Sequence, residues 1–221
     1  MGMLDYAALL GTVLLVVGIA YWATRWAAHG YERQNAHTRE IDAELRILAD
    51  RYGVSFREGG EYSHPILGAI EQFGGLYGHF GPCIVRVAIE SEAIGPGGDG
   101  PLAFFAVAYL TAPEGAQWAP ERVEIPRRRR GIGAPGASLQ TATAGFADPE
   151  RRSNAERALA ELVAISSSVE LEGWRARIEL RAACPRALRS MLYESYIESL
   201  EGLDAWLVRM QAVCRAWFGP P

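Results

Sequence analysis

Residues 169–180 read VELEGWRARIEL, and this stretch decides the fold. Apolar and charged residues alternate on both sides of Gly173-Trp174, a two-residue loop with glycine at the first position, as a type II′ turn requires. A hairpin closed at this loop matches opposite charges and apolar side chains across the strands, which specifies its register. The predicted pairs are Glu172 with Arg175, Glu170 with Arg177, Val169 with Ile178, and Leu171 with Ala176. The stretch therefore predicts antiparallel sheet.

Helical patterns flank this hairpin. Asp148 before Pro149 is typical of an N-cap and first helical residue, and it predicts a helix to about Ser166. The inward residues of that helix are Ala155, Leu159, Leu162 and Val163. After the hairpin, apolar spacing by threes and fours predicts a helix from Pro185 to Phe218 that kinks or divides at Gly202.

The chain upstream reads mainly as strands. Residues 83–90 alternate between apolar and polar, and residues 102–110 (LAFFAVAYL) form an unbroken apolar run typical of a central strand covered on both faces. Weaker strand candidates are 54–58, 122–125 and 138–145. The order of elements predicts an α+β domain over 54–221, with a mainly antiparallel sheet packed with two or three helices. Its possible halves are 54–147 and 148–221.

The N-terminal run YAALLGTVLLVVGIAYWAT, residues 6–24, contains no charged residue. Its nineteen residues reach about 28 Å as a helix, close to the thickness of a hydrocarbon core. Aromatic residues suited to the headgroup level stand at its two ends: Tyr6 at the first, and Tyr21, Trp22 and Trp26 at the second. The pattern predicts a short tail over 1–5 and a single transmembrane helix over 6–26.

Two other interpretations of this run are a cleaved signal peptide and a buried globular helix. A signal peptide normally has a basic residue before the apolar run and a small-x-small site after it, whereas here Asp5 precedes it and no good Ala-x-Ala triplet follows. A helix that is apolar on every face for five turns is uncommon in a domain of this size. Both alternatives are therefore less favoured than a membrane span.

The distribution of arginine predicts an orientation. No arginine precedes the apolar run, whereas Arg25, Arg33, Arg39 and Arg46 follow it within about twenty residues, which places the N-terminus outside and the domain in the cytoplasm. The three cysteines are odd in number and lack C-x-x-C spacing, as is typical of reduced thiols: Cys83, Cys184 and Cys214.

Residues 27–53 predict a helical connector between the membrane and the domain. The segment lacks proline, and Gly30 is its weak point. An apolar stripe then recurs by threes and fours before Gly53, a typical residue after a helix end: Ile41, Leu45, Leu48 and Tyr52. This stripe is expected to dock on the domain.

Three small residues lie along one stripe of the predicted transmembrane helix: Ala7, Gly11 and Gly18. Such stripes let two membrane helices approach closely, because packing drives helix association in lipid. The alternative is compositional, since glycine and alanine are frequent in membrane helices. The stripe is a candidate face for packing against another membrane helix.

Composition excludes several classes of protein. An apolar content of 49% in 221 residues excludes a disordered chain, and three cysteines cannot staple a fold of this length. All 22 basic residues are arginine, so no lysine is available for a Schiff base or a phosphate-binding loop. A net charge of −4 argues against general nucleic-acid binding.

No local motif predicts catalysis, a metal site or a cofactor. Residues 131–136 match G-x-G-x-x-G as text but lack the strand-to-helix context of a dinucleotide site, so a surface loop is expected. His79 and Cys83 have the spacing of a metal or base–nucleophile pair, but the glycines and proline around them exclude a regular helix. We therefore assign no catalytic, cofactor-binding or metal-binding residue.

Four consecutive arginines form the main charge anomaly: Arg127, Arg128, Arg129 and Arg130. Like charges in a row repel one another and are normally solvated on a loop. The functional alternative is contact with anionic lipid headgroups or an acidic partner, worth about 1 kcal/mol per basic residue near a membrane surface.

These patterns favour a non-catalytic, single-pass membrane-anchored accessory or scaffold subunit of a larger membrane complex. The expected partners are other integral membrane subunits and membrane lipids, with no nucleic acid and no cofactor. One alternative is a membrane-anchored module that binds an anionic ligand through Arg127–Arg130. A second alternative is an enzyme with a dispersed site around His64, His79 and Cys83.

Overall fold

The computed structural model describes residues 3–64, 68–71, 73–93, 102–126, 135–180 and 202–219. The helices in these ranges are α1 (Met3–Tyr52), α2 (Pro135–Ala142), α3 (Pro149–Ile165) and α4 (Leu203–Phe218). The strands are β1 (Ser55–Arg57), β2 (Glu61–His64), β3 (Gly68–Glu71), β4 (Gly75–Phe80), β5 (Cys83–Ala93), β6 (Leu102–Thr111), β7 (Ala119–Pro126), β8 (Ser168–Gly173) and β9 (Arg175–Leu180).

Seven strands form one sheet in the order β1-β4-β5-β6-β9-β8-β7, with every neighbouring pair antiparallel. Strands β2 and β3 form a separate hairpin. The sheet takes strands from both sides of Asp148, because β8 and β9 lie between β6 and β7. The predicted α+β class with an antiparallel sheet is confirmed.

The core lies on one face of the sheet. Cross-strand partners on this face are fully buried, whereas the next row along the same strands carries charged and aromatic side chains. The buried rows are Val85, Leu110, Ala176 and Leu171, and Val87, Ala108, Ile178 and Val169. Buried residues of all four helices join them in one apolar cluster. The fold thus has a helix-covered face and a second, more polar face.

The hairpin of β8 and β9 has the predicted register. All four predicted pairs are present, and Gly173 has a φ of 51°, the left-handed region that glycine adopts at low cost. The helix before it is also confirmed: the Asp148 carboxylate accepts a hydrogen bond from the backbone N–H of Glu150 (3.0 Å), and the four predicted inward residues are buried.

Strand β6 is covered on both faces, as its apolar run predicted. Phe105 and Val107 on one face, and Ala106, Ala108 and Leu110 on the other, are each at most 7% exposed. It also occupies a central position, between β5 and β9. Burial on both faces removes the alternation that a half-exposed strand would show.

The prediction of a strand over 138–145 is wrong, because this segment contains the end of α2 and the turn after it. Pro135 starts the helix, and the hydroxyls of Thr141 and Thr143 donate to the carbonyls of Ala137 and Leu139, four residues earlier (2.9 and 3.0 Å). Packing of α2 on β7 outweighs the strand preference of threonine.

The described part of the predicted C-terminal helix begins directly after Gly202. This glycine has a φ of 92° directly before α4, so the described helix begins at Leu203. The residues predicted to be helical between Pro185 and Glu201 lie outside the described ranges.

Helix α1 is one unbroken helix of 50 residues, so the predicted connector continues through Gly30 to Tyr52. The predicted stripe docks on the domain: Ile41, Leu45 and Leu48 are at most 8% exposed. Gly53, with a φ of 64°, follows the helix end. Across the residues that the structure describes, no helix has an apolar stretch long enough to cross a membrane.

Polar contacts fix the end of α1 to the start of α4. Tyr52 Oη donates to Asp204 Oδ1 (2.7 Å), and Arg51 pairs with the same carboxylate (2.8 Å). Burial and then this hydrogen bond raise the pKa of Tyr52 to about 12, and the bonds from Tyr52 and Arg51 lower the pKa of Asp204. The Tyr52 contribution to stability is therefore complete below pH 10.0, the ordinary tyrosine value, and is lost as the pH rises through about 12.

Candidate functional site

Within its N-terminal half, from Leu10 to Ile19, α1 exposes apolar side chains all around its circumference. Its large apolar residues are between 51% and 64% exposed: Leu10, Val13, Leu14, Leu15, Val16, Val17 and Ile19. Because successive residues of a helix are about 100° apart, these positions leave no polar side. A continuous apolar surface of this kind is typical of contact with lipid or with another protein. The buried globular helix considered for this segment is therefore not what the fold contains.

Aromatic side chains gather where this apolar segment ends. Tyr21 and Trp22 are 62% and 68% exposed, and the rings of Trp22 and Trp26 stack with centroids 6.4 Å apart. Arg25 donates to Tyr21 Oη (3.1 Å). Apolar rings beside a guanidinium match the chemistry of a headgroup layer. Tyr6 lies within α1, but its side chain is outside the described ones.

The small-residue stripe faces open space. A Cβ atom added to Gly11 or Gly18 would meet no atom of this chain within 4 Å. Ala7 lies on the same helix, with its side chain outside the described ones. A larger side chain at either glycine would therefore clash with nothing inside the molecule.

Helix α1 reaches the domain at one end of the sheet. Asp42 Oδ1 accepts a hydrogen bond from the N–H of Gly74, just before β4, and ten residues later the Tyr52 ring lies 6.1 Å from that of Phe80, at the end of β4. The helix thus runs alongside β4 from Gly75 towards Phe80. We call the Gly75 end of the sheet the near end, because the N-terminal half of α1 extends away beyond it, and the opposite end the far end.

The arginine run follows directly from the near end. Residues 127–130 lie outside the described ranges, but β7 ends at Pro126. Pro126 belongs to the same cross-strand row as Gly75, through Ser168, Glu179, Val107 and Ala88. Strand β7 therefore ends on the side of the domain that faces the N-terminal half of α1.

His79 and Cys83 lie on opposite faces of the sheet. Phe80 pairs with Cys83 on the buried face, and His79 pairs with Ile84 on the other, so His79 is exposed and Cys83 fully buried. The two therefore cannot bind one metal or exchange a proton, and the side chain of His64 is outside the described ones. Within the described ranges, no three His, Cys, Asp or Glu side chains converge as metal ligands do.

Two of the cysteines, Cys83 and Cys214, lie next to each other, which their spacing in the sequence does not predict. Cys83 and Cys214 are both free and fully buried, on β5 and α4. A hydrogen bond with the Cys83 thiol, then burial, raises the pKa of Cys214 well above its ordinary value. Residues 131 positions apart give no sequence signal of this contact. Cys184 lies outside the described ranges.

An aromatic cleft of about 420 Å³ lies at the far end. Trp118, Phe146, Trp217 and Phe218 line it, and Trp217 Nε1 donates to the carbonyl of Trp118 (3.0 Å). Trp118 places the cleft at the far end, because its N–H donates to the carbonyl of Gly173 at the hairpin tip (2.7 Å). The cleft therefore lies at the opposite end of the sheet from the apolar half of α1.

A second hollow, of about 250 Å³, opens beside β1, β4 and β5 towards the near end. Arg57, Tyr77 and Arg86 are among its lining residues. The sequence gives no signal of this site, because the three residues are scattered along the chain and come together only through strand pairing.

Compared with protein-family models, curated proteins and solved structures, this chain matches none. Its own geometry is therefore what bears on its function.

Proposed function

We propose that this chain is a single-pass membrane-anchored accessory or scaffold subunit of a larger membrane complex, without catalysis of its own. One observation carries the proposal: α1 is unbroken, exposed and apolar in its N-terminal half, and docked on the folded domain in its C-terminal half. The same helix thus joins a surface that needs lipid or protein to a domain that has its own core.

The uncharged run of the sequence, residues 6–24, has the length that a membrane anchor needs. The uncharged run in the sequence covers nineteen residues, about 28 Å of helix, and its side chains are described from Leu10 onward. The aromatic residues from Tyr21 to Trp26 and the Arg25 guanidinium supply a headgroup-level belt at one end. In this proposal the N-terminus is outside and the domain is cytoplasmic, following the arginine asymmetry.

In this proposal the helical connector holds the domain at a fixed distance from the aromatic belt. Sixteen residues separate Trp26 in the belt from Asp42 at the domain, which is about 24 Å of continuous helix. A disordered linker would let the domain change its distance from the membrane and its orientation, whereas a continuous helix fixes both. This rigidity suits a subunit that presents its domain to a neighbour, and it weighs against a signal peptide removed within the helix.

The small-residue stripe supplies the test of partner contact. Gly11→Leu is expected to lower recovery of the complex after mild detergent extraction, because close helix packing is lost at contacts worth about 1 kcal/mol each. A Cβ atom added at Gly11 meets no atom of this chain within 4 Å, so a loss of recovery is expected to reflect a neighbouring molecule. Native complexes recovered from detergent at equal expression give the measurement.

Val13→Leu is the matched control, because Val13 lies on another side of the same helix and is 51% exposed. Equal recovery of both variants would mean that the glycines form no interface and reflect only the usual composition of membrane helices. The helix would then be an anchor only. A wild-type protein that runs as a lone monomer without any copurifying subunit would refute the scaffold proposal itself.

A second candidate function is recognition of an anionic surface through Arg127–Arg130. It is favoured by the position of Pro126, which precedes Arg127 and lies at the near end of the sheet. Replacing the four arginines by glutamine is expected to reduce binding to vesicles containing phosphatidylserine by more than tenfold, at about 1 kcal/mol per arginine. Flotation with neutral vesicles is the control, and unchanged flotation with anionic vesicles would remove this candidate.

A further inference from the structure

We propose that the hollow between Arg57 and Arg86 is a binding site for the phosphate group of a small phosphate ester. The phosphate site is independent of membrane anchoring, since the residues that would hold it lie in the folded domain; only the choice of a soluble over a lipid phosphate rests on the proposed function. It rests on the geometry of the polar sheet face, on unpaired guanidinium groups and on the positions of nearby carboxylates.

Strand pairing creates the hollow. Arg57 on β1 pairs with Gly75 on β4, which pairs with Ala88 on β5, so the two positions of this row next to Arg57 have almost no side-chain volume. In the next row Tyr77 pairs with Arg86 on the same face. Two arginine side chains therefore flank a floor formed by glycine and alanine.

Both guanidinium groups lack an anionic partner among the described residues. Arg57 lies over the exposed ring of Tyr77, 5.7 Å from its centroid, and neither Arg57 nor Arg86 has an ion pair within the described ranges. Two like charges directed at one hollow repel each other unless an anion lies between them. A phosphate oxyanion suits planar guanidinium donors because each can bind two of its oxygens.

Two carboxylates near the hollow that the structure describes, those of Glu58 and Glu90, are already paired. Glu58 lines it, but its Oε1 lies 2.7 Å from Arg46 Nη2. Glu90, further along the same face, accepts from Tyr109 (2.5 Å) and lies 3.6 Å from Arg177. Neither of these two carboxylates is therefore free to pair with Arg57 or Arg86, and the exposed part of the Tyr77 ring that Arg57 leaves open offers a contact surface for the group that the phosphate carries.

The distance between the hollow and the aromatic belt favours a soluble ligand over a lipid headgroup. Gly74, beside the hollow, bonds to Asp42, about 24 Å along α1 from the aromatic belt at Trp26. That separation exceeds the reach of an arginine side chain. The shared chemistry is the phosphate group, and the two sources are separated by experiment.

The test uses the full chain in nanodiscs of neutral phosphatidylcholine, titrated calorimetrically with inorganic pyrophosphate at constant ionic strength. Saturable binding is expected, and Arg57→Gln and Arg86→Gln should each weaken it about tenfold or more, because each removes hydrogen bonds to a charged group. Arg157→Gln is the control, since Arg157 is exposed on α3 and its hydrogen bond among the described residues is to Asn154. Unchanged circular dichroism would verify that each variant is folded.

Repeating the titration in nanodiscs containing phosphatidic acid distinguishes the sources. Unchanged affinity supports a soluble phosphate ester, whereas weaker pyrophosphate binding that depends on Arg57 and Arg86 supports a lipid phosphate in the same site. Absence of saturable binding up to about 10 mM, or equal binding by the double variant, would overturn the proposal.

Discussion

The double substitution Leu14→Arg and Val17→Arg is expected to move this protein from the membrane fraction to the soluble fraction. Both side chains are exposed, by 63% and 59%, so the change disturbs no packing within the domain. Each arginine near the centre of a membrane helix opposes insertion by about 2.5–3.5 kcal/mol, against about 0.5 kcal/mol gained per large apolar residue. The measurement is the share of the chain that resists alkaline carbonate extraction.

Ile47→Arg is the control for this experiment. Ile47 lies on the same helix and is 59% exposed, but it belongs to the docked half of α1, beside the domain. This variant is expected to stay in the membrane like the wild type. If the double variant also resists carbonate fully, the N-terminal half of α1 does not insert in a bilayer and the anchor proposal falls.

Leu45→Ala is expected to lower the free energy of unfolding by about 3 kcal/mol, within the range of 2–5 kcal/mol seen for leucine truncations in cores. Leu45 is 0% exposed and belongs to the cluster that joins α1 to the sheet and α4. Truncation leaves a cavity at the contact that holds the domain on its connector. Urea unfolding of the detergent-solubilised chain, followed by tryptophan fluorescence, measures the change.

The matched substitution Ile47→Ala removes a side chain of similar size two residues away that is 59% exposed. It is expected to change the unfolding free energy by no more than about 0.5 kcal/mol, as surface substitutions do. A Leu45→Ala variant as stable as Ile47→Ala would show that α1 does not dock through this stripe.

Local patterns predicted the elements that depend on local chemistry. The β8–β9 register followed from Gly173 and four complementary pairs, and α3 followed from Asp148 and Pro149, because the deciding interactions lie within a few residues. The stripe from Ile41 to Tyr52 could be predicted for the same reason, since the residues of one helix face recur at intervals of three and four.

Elements that depend on distant contacts were missed. Strand β4 contains Gly75 and Gly78, which weaken any strand pattern, yet the structure needs them small: a Cβ at Gly75 would lie 2.4 Å from the Val87 carbonyl oxygen, and one at Gly78 would lie 2.7 Å from the Val54 side chain. The hollow beside Arg57 and Arg86 was invisible for the same reason, because only the pairing of β1, β4 and β5 brings these arginines together.

Because α1 is continuous, it also fixes the angle about the helix axis between the face that docks on the domain and the face that carries the glycines. At about 100° per residue, Ile41, Leu45 and Leu48 point roughly 130° around the helix axis from the stripe of Gly11 and Gly18. The domain therefore sits on a different side of the rod from that stripe, so a helix packed against the glycines can run past the domain without meeting it. Each residue added to the connector would turn the domain by about 100° about the axis, so the length of the connector sets which face of the domain a neighbour in the membrane encounters.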